Sequence, residues 1–419
     1  MKFSFKLAVA SAALAAAGMT QAATVTISCG SVGQDYEFCK KSAEEWAQKS
    51  GHTVKLFSTP QNTSDILGLY RKMFAAKSKD VDVISVDVIW PGMIGHHLLD
   101  LKPYSKGEEA NHFPAMIENN TVDGKLVAMP WFTDAGLLYY RKDLLEKHNV
   151  EVPKTWDDLT KAAAAVQEAE RKAGNKDFHG YVWQGKATES LTCGALEWIH
   201  AYGGGTIVEA DGKISINNEK AAKAMNMAAG WVGTISPKGV LNYAEEDSRG
   251  VFQNGQAAFM RNWPYVWALA NGADSRIKDK VGVAPLPAGP DGQKGGTLGG
   301  WMLAVSKYSQ NADVAADLVM YLTSKASQKQ RAIDGAYNPT YPELYEDAEV
   351  LKVNPFFADL KDVLATAVPR PSSVTGAKYN DVSQSFWNGV HDVLSGKTSG
   401  EDAAKKLEGR LKRVQRGKW

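Results

Sequence analysis

The sequence of 419 residues lacks several features that identify common classes of protein. Its three cysteines are too few for a small scaffold held by disulfides, although Cys29 and Cys39 could pair in an oxidising compartment and leave Cys193 over. No charge is in excess, because 48 basic residues stand against 47 acidic ones, whereas nucleic-acid binders show a basic field. The N-terminal apolar run, residues 7–17, is too short to cross about 30 Å of hydrocarbon. These shortages argue against a disulfide-rich scaffold, a nucleic-acid binder and an N-terminal membrane anchor.

Motifs that mark common enzymes are missing as well. The sequence has no G-x-S-x-G elbow, no H-E-x-x-H helix, no C-x-x-C pair and no Walker loop. The triple glycine at 203–205 is not followed by Lys-Ser/Thr and therefore indicates a turn. His96 and His97 are adjacent and point in different directions, whereas paired metal ligands on a helix usually stand at i and i+4. The sequence therefore predicts no enzyme, no metal site and no cofactor.

The first 22 residues have the pattern of a secretory signal peptide. Lys2 and Lys6 precede the apolar run, small residues stand near its end, and cleavage is expected after Ala22. A buried N-terminal helix is the alternative interpretation of the same run. Cys29 does not follow a Leu-Ala-Gly-type sequence, so no lipid attachment is expected there. The predicted destination is therefore the periplasm.

The mature chain of about 397 residues, with a net charge of about −1, exceeds the length that one hydrophobic core usually supports, so two domains are expected. Strands are predicted over 24–28, 52–57 and 81–86, and helices over 36–49 and 63–76. Strand and helix in this alternation are typical of an α/β unit with a parallel sheet. Ligands of open α/β sheets bind at the carboxyl ends of strands, so the loops after these strands are candidate binding regions.

The rest of the chain is predicted to be rich in helices. Thr155 and Asp158 have the spacing of a capping box at a helix start. A strand over 302–305 and a helix over 311–322 follow a Gly- and Pro-rich stretch, and the C-terminal part is mostly helical. Internal repeats and low-complexity linkers are absent. This pattern favours two lobes that share the chain through several crossings over two domains in tandem.

Aromatic residues stand beside polar groups in several segments that have a loop-like sequence. Sugars present C–H faces that stack on aromatic rings, and hydroxyls that need charged or amide partners. Each segment alone is weak support, because a tryptophan beside a proline is more often packed in a core. The segments are residues 87–92, 130–136, 261–265, 299–301 and 368–371.

Ordered motifs over nearly the whole mature chain resemble those of one family. They include DVIWPG at 87–92, DAGLLYYRKDLL at 134–145, GYVWQGK at 180–186, QAAFMRNWP at 256–264, TLGGW at 297–301 and AVPRP at 367–371. In these motifs the chain resembles the extracellular solute-binding proteins of ABC sugar importers. It is most similar to the trehalose/maltose-binding type.

The resemblance implies an α/β fold of the periplasmic binding protein type, with two lobes, a hinge of three crossings and a ligand cleft between the lobes. The N-terminal lobe would comprise residues 23–132 plus about 285–323, and the C-terminal lobe residues 133–284 plus about 324–419. The implied function is to capture a sugar, an α-glucoside disaccharide such as trehalose, maltose or sucrose. The protein would act as a monomer and deliver the sugar to a membrane permease.

The resemblance also implies ligand contacts from both lobes, carried over position by position. The implied contacts are Asp87, Gly300 and Trp301 on the N-terminal lobe, Phe132 and Asp134 at the first crossing, and Trp263 and Arg370 on the C-terminal lobe. Asp35 matches a further acidic contact, for which Glu37 is the alternative. Each residue also has a structural interpretation: Asp134 could cap the following segment, and Arg370 could hold a loop through an ion pair.

The chain also departs from this family. Relatives that bind trehalose and maltose have an arginine near the start of the helix after the second strand, where this chain reads NTSDI at 62–66. Phe132 stands where a tyrosine is usual, which removes one hydroxyl. Since a buried polar group without its partner is costly, such changes can alter the preferred disaccharide.

Two other functions are alternatives to disaccharide capture. A secreted carbohydrate-active enzyme would need a general acid and a second carboxylate at a fixed separation across the glycosidic bond. A binding protein for another solute, such as a polyol, would share the cleft but not the ligand. Sugar hydrolysis distinguishes the first alternative, and a panel of ligands distinguishes the second.

Overall fold

The computed structural model describes residues 22–419. Apart from Ala22, the predicted signal peptide lies outside the described residues. The strands are β1 (Thr24–Cys29), β2 (Thr53–Ser58), β3 (Val83–Asp87), β4 (Thr121–Val122), β5 (Lys125–Leu126), β6 (Met129–Ala135), β7 (Leu137–Arg141), β8 (His179–Val182), β9 (Ala257–Asn262), β10 (Val281–Pro285) and β11 (Leu298–Val305).

The helices alternate with these strands in the first half of the chain and dominate its end. They are α1 (Asp35–Ser50), α2 (Thr63–Ala75), α3 (Pro91–Ile94), α4 (Lys102–Ser105), α5 (Pro114–Asn119), α6 (Lys142–His148), α7 (Trp156–Lys172), α8 (Glu189–Ala201), α9 (Glu219–Trp231), α10 (Glu245–Gln253), α11 (Val266–Ala270), α12 (Ala312–Thr323), α13 (Lys325–Gly335), α14 (Ala348–Val353), α15 (Phe357–Ala365), α16 (Ser372–Thr375), α17 (Tyr379–Leu394) and α18 (Gly400–Gln415). Short 3₁₀ turns lie at Gly95–His97, Glu108–Asn111, Lys238–Asn242, Pro342–Tyr345 and Gly376–Lys378.

A five-stranded sheet organises one lobe, with strand order β2-β1-β3-β11-β6. β1 pairs in parallel with β2 and β3, as the strand–helix alternation of the sequence predicts. β11 is antiparallel to both β3 and β6, although it follows them by more than 150 residues of chain. Every residue of β3 is buried, because helices and loops cover both faces of the sheet.

A four-stranded sheet organises the other lobe, with strand order β10-β7-β9-β8. β8 and β9 are parallel, whereas β7 is antiparallel to β9 and β10. Helices α7, α8, α9 and α17 pack around a core in which four indoles meet: Trp156, Trp183, Trp198 and Trp231. The predicted capping box of α7 is present, with Thr155 and Asp158 bonding to each other's backbone amides.

The chain passes between the two sheets at adjacent points. β6 of the five-stranded sheet is joined to β7 of the four-stranded sheet by the single residue Gly136. The return passage runs from β10 to β11 through residues 286–297. Each passage adjoins a strand that carries predicted ligand residues: β6 precedes the first passage and β11 follows the second.

Two expectations about local structure need correction. The aromatic segments that have a loop-like sequence belong largely to strands: β6 holds Phe132 and Asp134, and β11 holds Gly300 and Trp301. Asp87 is likewise the last residue of β3 rather than part of the loop after it, because Trp301 pairs with it across the sheet. Neighbouring strands from distant sequence therefore override the turn-like composition of these segments.

Cys29 and Cys39 form a disulfide that ties the end of β1 to α1, and Cys193 is buried and unpaired. No helix within residues 22–419 has the length and apolar character of a membrane span. In the same part of the chain, no group of three or more His, Cys, Asp or Glu side chains is arranged to hold a metal ion.

Candidate functional site

A cavity lies where residues of the two lobes face each other, and all the predicted ligand residues line it. Its empty volume, which includes space open to the solvent, is about 770 Å³. The alternative acidic residue, Glu37, is exposed on α1 and does not line the cavity. The predicted residues that the fold brings together are Asp35, Asp87, Phe132, Asp134, Trp263, Gly300, Trp301 and Arg370.

β11 forms one wall of the cavity between β3 and β6. Its Trp301 is in register with Asp87, and the indole meets the ring of buried Trp90 edge-on, at 5.5 Å between centroids. Gly300 has φ +133°, and a Cβ there would lie 2.7 Å from the carbonyl oxygen of Phe132. Glycine is therefore required at this position, because any side chain would push β11 and β6 apart.

Trp263 and Asp134 approach each other over the backbone of Gly299. A Cβ on Gly299 would lie 3.0 Å from the Trp263 ring and 3.3 Å from the Cβ of Asp134. The indole nitrogen of Trp263 points to Glu245, at 3.5 Å. An aromatic platform and a carboxylate therefore stand side by side, which is the pair of groups that a sugar ring requires.

Asp35 is held by a cation within an aromatic enclosure. Its carboxylate accepts a hydrogen bond from Arg331 at 2.6 Å, and both side chains are buried. The guanidinium of Arg331 lies 4.0 Å from the ring centroid of Trp131, 4.3 Å from that of Tyr337 and 5.2 Å from that of Phe132. The cation–π contacts with these rings partly compensate the guanidinium for the water that it loses on burial.

Arg370 joins two carboxylates that come from different lobes. It donates to Asp87 at 3.1 Å and to Glu189, the first residue of α8, at 2.9 Å. Glu189 also accepts bonds from Tyr379 and Ser383. Desolvation raises the pKa of Asp87 to about 6, and Arg370 opposes this rise without cancelling it.

Asp134 has no hydrogen-bond donor among the described residues for its buried carboxylate. Burial raises its pKa well above the ordinary value, and the negative charges of Asp35 and Asp87 raise it further. Hydroxyl donors of a ligand would favour the ionised form of Asp134 and offset the cost of its burial, because hydrogen bonds to a carboxylate are the stronger kind. The cavity therefore favours a ligand rich in hydroxyl groups.

Sequence reasoning missed several residues that line the cavity. Glu189 and Glu245 stand at helix N-termini, where an acidic residue is ordinary and gives no signal of a binding role. Tyr265 and Tyr337 also line the cavity and lie outside the residues assigned to it. In the segment that departs from the trehalose/maltose type, Thr63 faces the cavity, and Asn62 instead caps α2.

Comparison with known proteins gives a consistent result along the chain. A model of the bacterial extracellular solute-binding protein family matches residues 30–329. A probable ABC transporter-binding protein of Deinococcus radiodurans is 52% identical over 409 residues, with 97% of each chain covered. The maltodextrin-binding protein MdxE of Bacillus subtilis is 28% identical over 336 residues, which cover 79% of this chain and 76% of that one.

Among solved structures, the maltose-bound protein MalE3 of T. maritima is similar over 94% of this chain and 100% of its own. The two are 40% identical in sequence and superpose with a TM-score of 0.88. The predicted two-lobed α/β fold of the periplasmic binding protein type is thereby confirmed.

Proposed function

This chain belongs to the family of bacterial extracellular solute-binding proteins, and from that premise we propose that it captures an α-linked glucose disaccharide. Its sugar-binding role in an ABC transporter rests on the family and on the relatives described above. The candidate ligands are trehalose, maltose and sucrose, and at least one of them is expected to bind with micromolar or tighter Kd, near −8 kcal/mol or better.

The observation that carries the proposal is the unpartnered carboxylate of Asp134 beside the Trp263 platform. A sugar ring can stack on the indole while its hydroxyls donate to Asp134, since both side chains line the same cavity. Trp301 of β11 offers a second platform in the cavity lining, next to Asp87. Two platforms suit a ligand of two rings.

We further propose lobes that comprise residues 23–132 plus about 285–323 and residues 133–284 plus about 324–419, except that α13 (Lys325–Gly335) belongs with the first lobe, because Gln328 bonds to β6 and Arg331 to Asp35. The cleft would close on the sugar by a hinge motion of the kind known for periplasmic binding proteins. The chain would be exported by its signal peptide and work as a monomer in the periplasm. There it would deliver the sugar to the permease of its transporter.

A ligand panel tests the proposal directly. Thermal unfolding is recorded with trehalose, maltose, sucrose, glucose and mannitol, because a ligand at about 100 times its Kd stabilises a protein by about 2.7 kcal/mol. We expect stabilisation by at least one of the disaccharides and a smaller effect of glucose and mannitol. Stabilisation by mannitol alone would mean that the ligand is a polyol and not a disaccharide. Stabilisation by none of the compounds would refute the proposal.

Substitution of Asp134 distinguishes binding from hydrolysis. Asp134→Asn keeps the shape of the side chain but removes the charge, so affinity should fall by about 1.5–3 kcal/mol. Asp313→Asn is the control, because Asp313 bonds to Tyr104 away from the cavity. Wild-type hydrolysis of a disaccharide that vanished in Asp134→Asn without loss of affinity would instead assign an enzyme.

A further inference from the structure

Behind the cavity lies an ion pair that is buried completely. Arg261 donates two hydrogen bonds to Glu197, through Nε at 2.9 Å and Nη2 at 2.5 Å, and a third to Gln184 at 3.2 Å. The side chains of Arg261 and Glu197 are 1% and 0% exposed. Such a pair loses its hydration on both sides, so stability alone is a weak reason for its presence. Its neighbours indicate what it does.

The guanidinium of Arg261 covers one face of the Trp263 indole. Its central carbon lies 4.0 Å from the ring centroid, the distance of a close cation–π contact. Trp263 is half-buried and lines the cavity, so the opposite face of the ring is the one left for a ligand. The planar guanidinium, fixed by its two bonds to Glu197, can hold the indole at one angle.

The same ion pair touches both chain passages between the two sheets. A Cβ on Gly136, which joins β6 to β7, would lie 2.1 Å from Glu197 Oε1 and 2.7 Å from Arg261 Nη2. The amide of Thr297, just before β11, donates to Glu197 at 3.0 Å. The passages also touch each other, because a Cβ on Gly296 would lie 2.5 Å from the Gly136 carbonyl oxygen.

We propose that Arg261 and Glu197 are positioning residues for sugar binding: together they fix the Trp263 platform and tie it to the two passages on which the lobes move. The ion pair does not line the cavity, so it acts through Trp263 and does not contact the sugar. This inference rests on the proposed function, since it assigns the support of the same site.

The test uses variants that avoid leaving a lone buried charge. Glu197→Gln/Arg261→Met removes both charges and keeps most of the side-chain volume. Arg141→Met/Asp143→Asn is the control for the loss of an ion pair elsewhere: that pair lies on β7 and α6, away from Trp263 and the cavity, and its Asp143 is 33% exposed. The far-ultraviolet circular dichroism of each variant establishes that it is folded.

The first measurement needs no sugar. The near-ultraviolet circular dichroism of Trp263, obtained by subtracting a Trp263→Phe spectrum in each background, reports whether the indole is held at one angle. We expect this signal to fall by more than half in Glu197→Gln/Arg261→Met and to stay unchanged in the control. An unchanged signal in the folded double variant would overturn the proposal, and so would an equal loss in the control.

The second measurement is a mutant cycle on the affinity for maltose, trehalose and sucrose. With Trp263 present, we expect Glu197→Gln/Arg261→Met to weaken binding about tenfold. In the Trp263→Ala background the same two substitutions should weaken it less than twofold, because the free-energy effects of substitutions at contacting residues are not additive. Equal losses in the two backgrounds would mean that the pair does not act through Trp263. If the wild type bound none of the three sugars, the proposed ligand would fail, and the sugar-free signal would still decide the positioning role.

Discussion

Two buried arginines hold the acids of the cleft, and they do so in different ways. Arg331 bonds to Asp35 and is enclosed by aromatic rings. It lies on α13, whose Gln328 donates to the carbonyl oxygen of Pro130 in β6. The pair of Arg331 and Asp35 is therefore built into the wall that the five-stranded sheet forms.

Arg370 instead spans the cleft. It reaches Asp87 at the end of β3, in the five-stranded sheet, and Glu189 at the start of α8, which packs in the other lobe. In the proposed hinge motion, its contact with Asp87 would be lost when the lobes separate. The comparison suggests that one arginine stabilises the fold, whereas the other stabilises the closed cleft. The predictions below test that division.

The largest expected effect is the loss of stability in Arg331→Met. The substitution leaves the carboxylate of Asp35 buried without its cation, and breaking such a pair costs about 3–5 kcal/mol of unfolding free energy. Chemical denaturation without sugar measures this cost. The double variant Asp35→Asn/Arg331→Met should recover most of the loss, because no lone charge stays buried. A single variant as stable as the double one would show that Asp35 is hydrated in the native protein.

A smaller and different effect is expected for Arg370→Met. When the cleft is open, water can solvate Asp87, and Tyr379 and Ser383 still donate to Glu189. The unfolding free energy without sugar should therefore fall much less than in Arg331→Met. Sugar affinity should fall by about 1.5–3 kcal/mol, the range for hydrogen bonds to charged groups.

Calorimetric titration of Arg370→Met measures its sugar affinity, and chemical denaturation of the same preparation measures its unfolding free energy. If Arg370→Met lost as much stability as Arg331→Met and kept its affinity, the division between the two arginines would be wrong.

Lowering the pH should favour closure of the cleft in the absence of sugar. In this structure, taken as the closed form of the proposed hinge motion, the pKa of Asp87 is raised to about 6 and that of Asp134 is raised well above its usual value. In an open cleft, where water solvates them, both should be nearer the ordinary value. Closing therefore takes up protons, so the penalty on the empty closed form is present at neutral pH and declines as the pH falls through the raised pKa values.

For Asp87 alone, lowering the pH from about 7 to 5 should favour closure by about 1 kcal/mol, given about 1.4 kcal/mol per pKa unit. Small-angle scattering without sugar should show a decreasing radius of gyration over this range. Asp87→Asn should reduce the pH dependence, and the control Asp313→Asn should not. A radius that increased on acidification would contradict the sign of this linkage.

Much of the cavity lining could be predicted from the sequence, because the predicted contacts lie in short motifs that the chain shares with the family it resembles. One such motif residue, Gly300 beside Trp301, is required by the backbone, since a Cβ there would lie 2.7 Å from the Phe132 carbonyl oxygen. The strand and helix pattern of the first 90 residues also predicts the parallel part of the sheet, because those neighbours in space are neighbours in sequence.

The partners of these residues could not be predicted in the same way. Arg331 is separated from Asp35 by 296 positions and Glu197 from Arg261 by 64, and neither cation stands in a motif that names its partner. Asp87 looks like the start of a loop, but it stays in β3 because β11 returns to pair with it. Such contacts depend on tertiary packing, which a local pattern does not contain.

The smallest expected effect concerns Trp301, the platform on the wall that Arg331 stabilises. Trp301→Ala should weaken disaccharide binding by about 0.5–1.5 kcal/mol, the contribution of an aromatic contact, while unfolding without sugar changes little because the ring is only half-buried. Trp267→Ala is the matched control: that indole is also half-buried, but it packs against Phe356 and does not line the cavity. Calorimetric titration of both variants with the disaccharide that binds the wild type gives the comparison. Equal affinities of the two variants would mean that Trp301 only packs against Trp90, and the five-stranded wall would then contribute its carboxylates to the ligand but no platform.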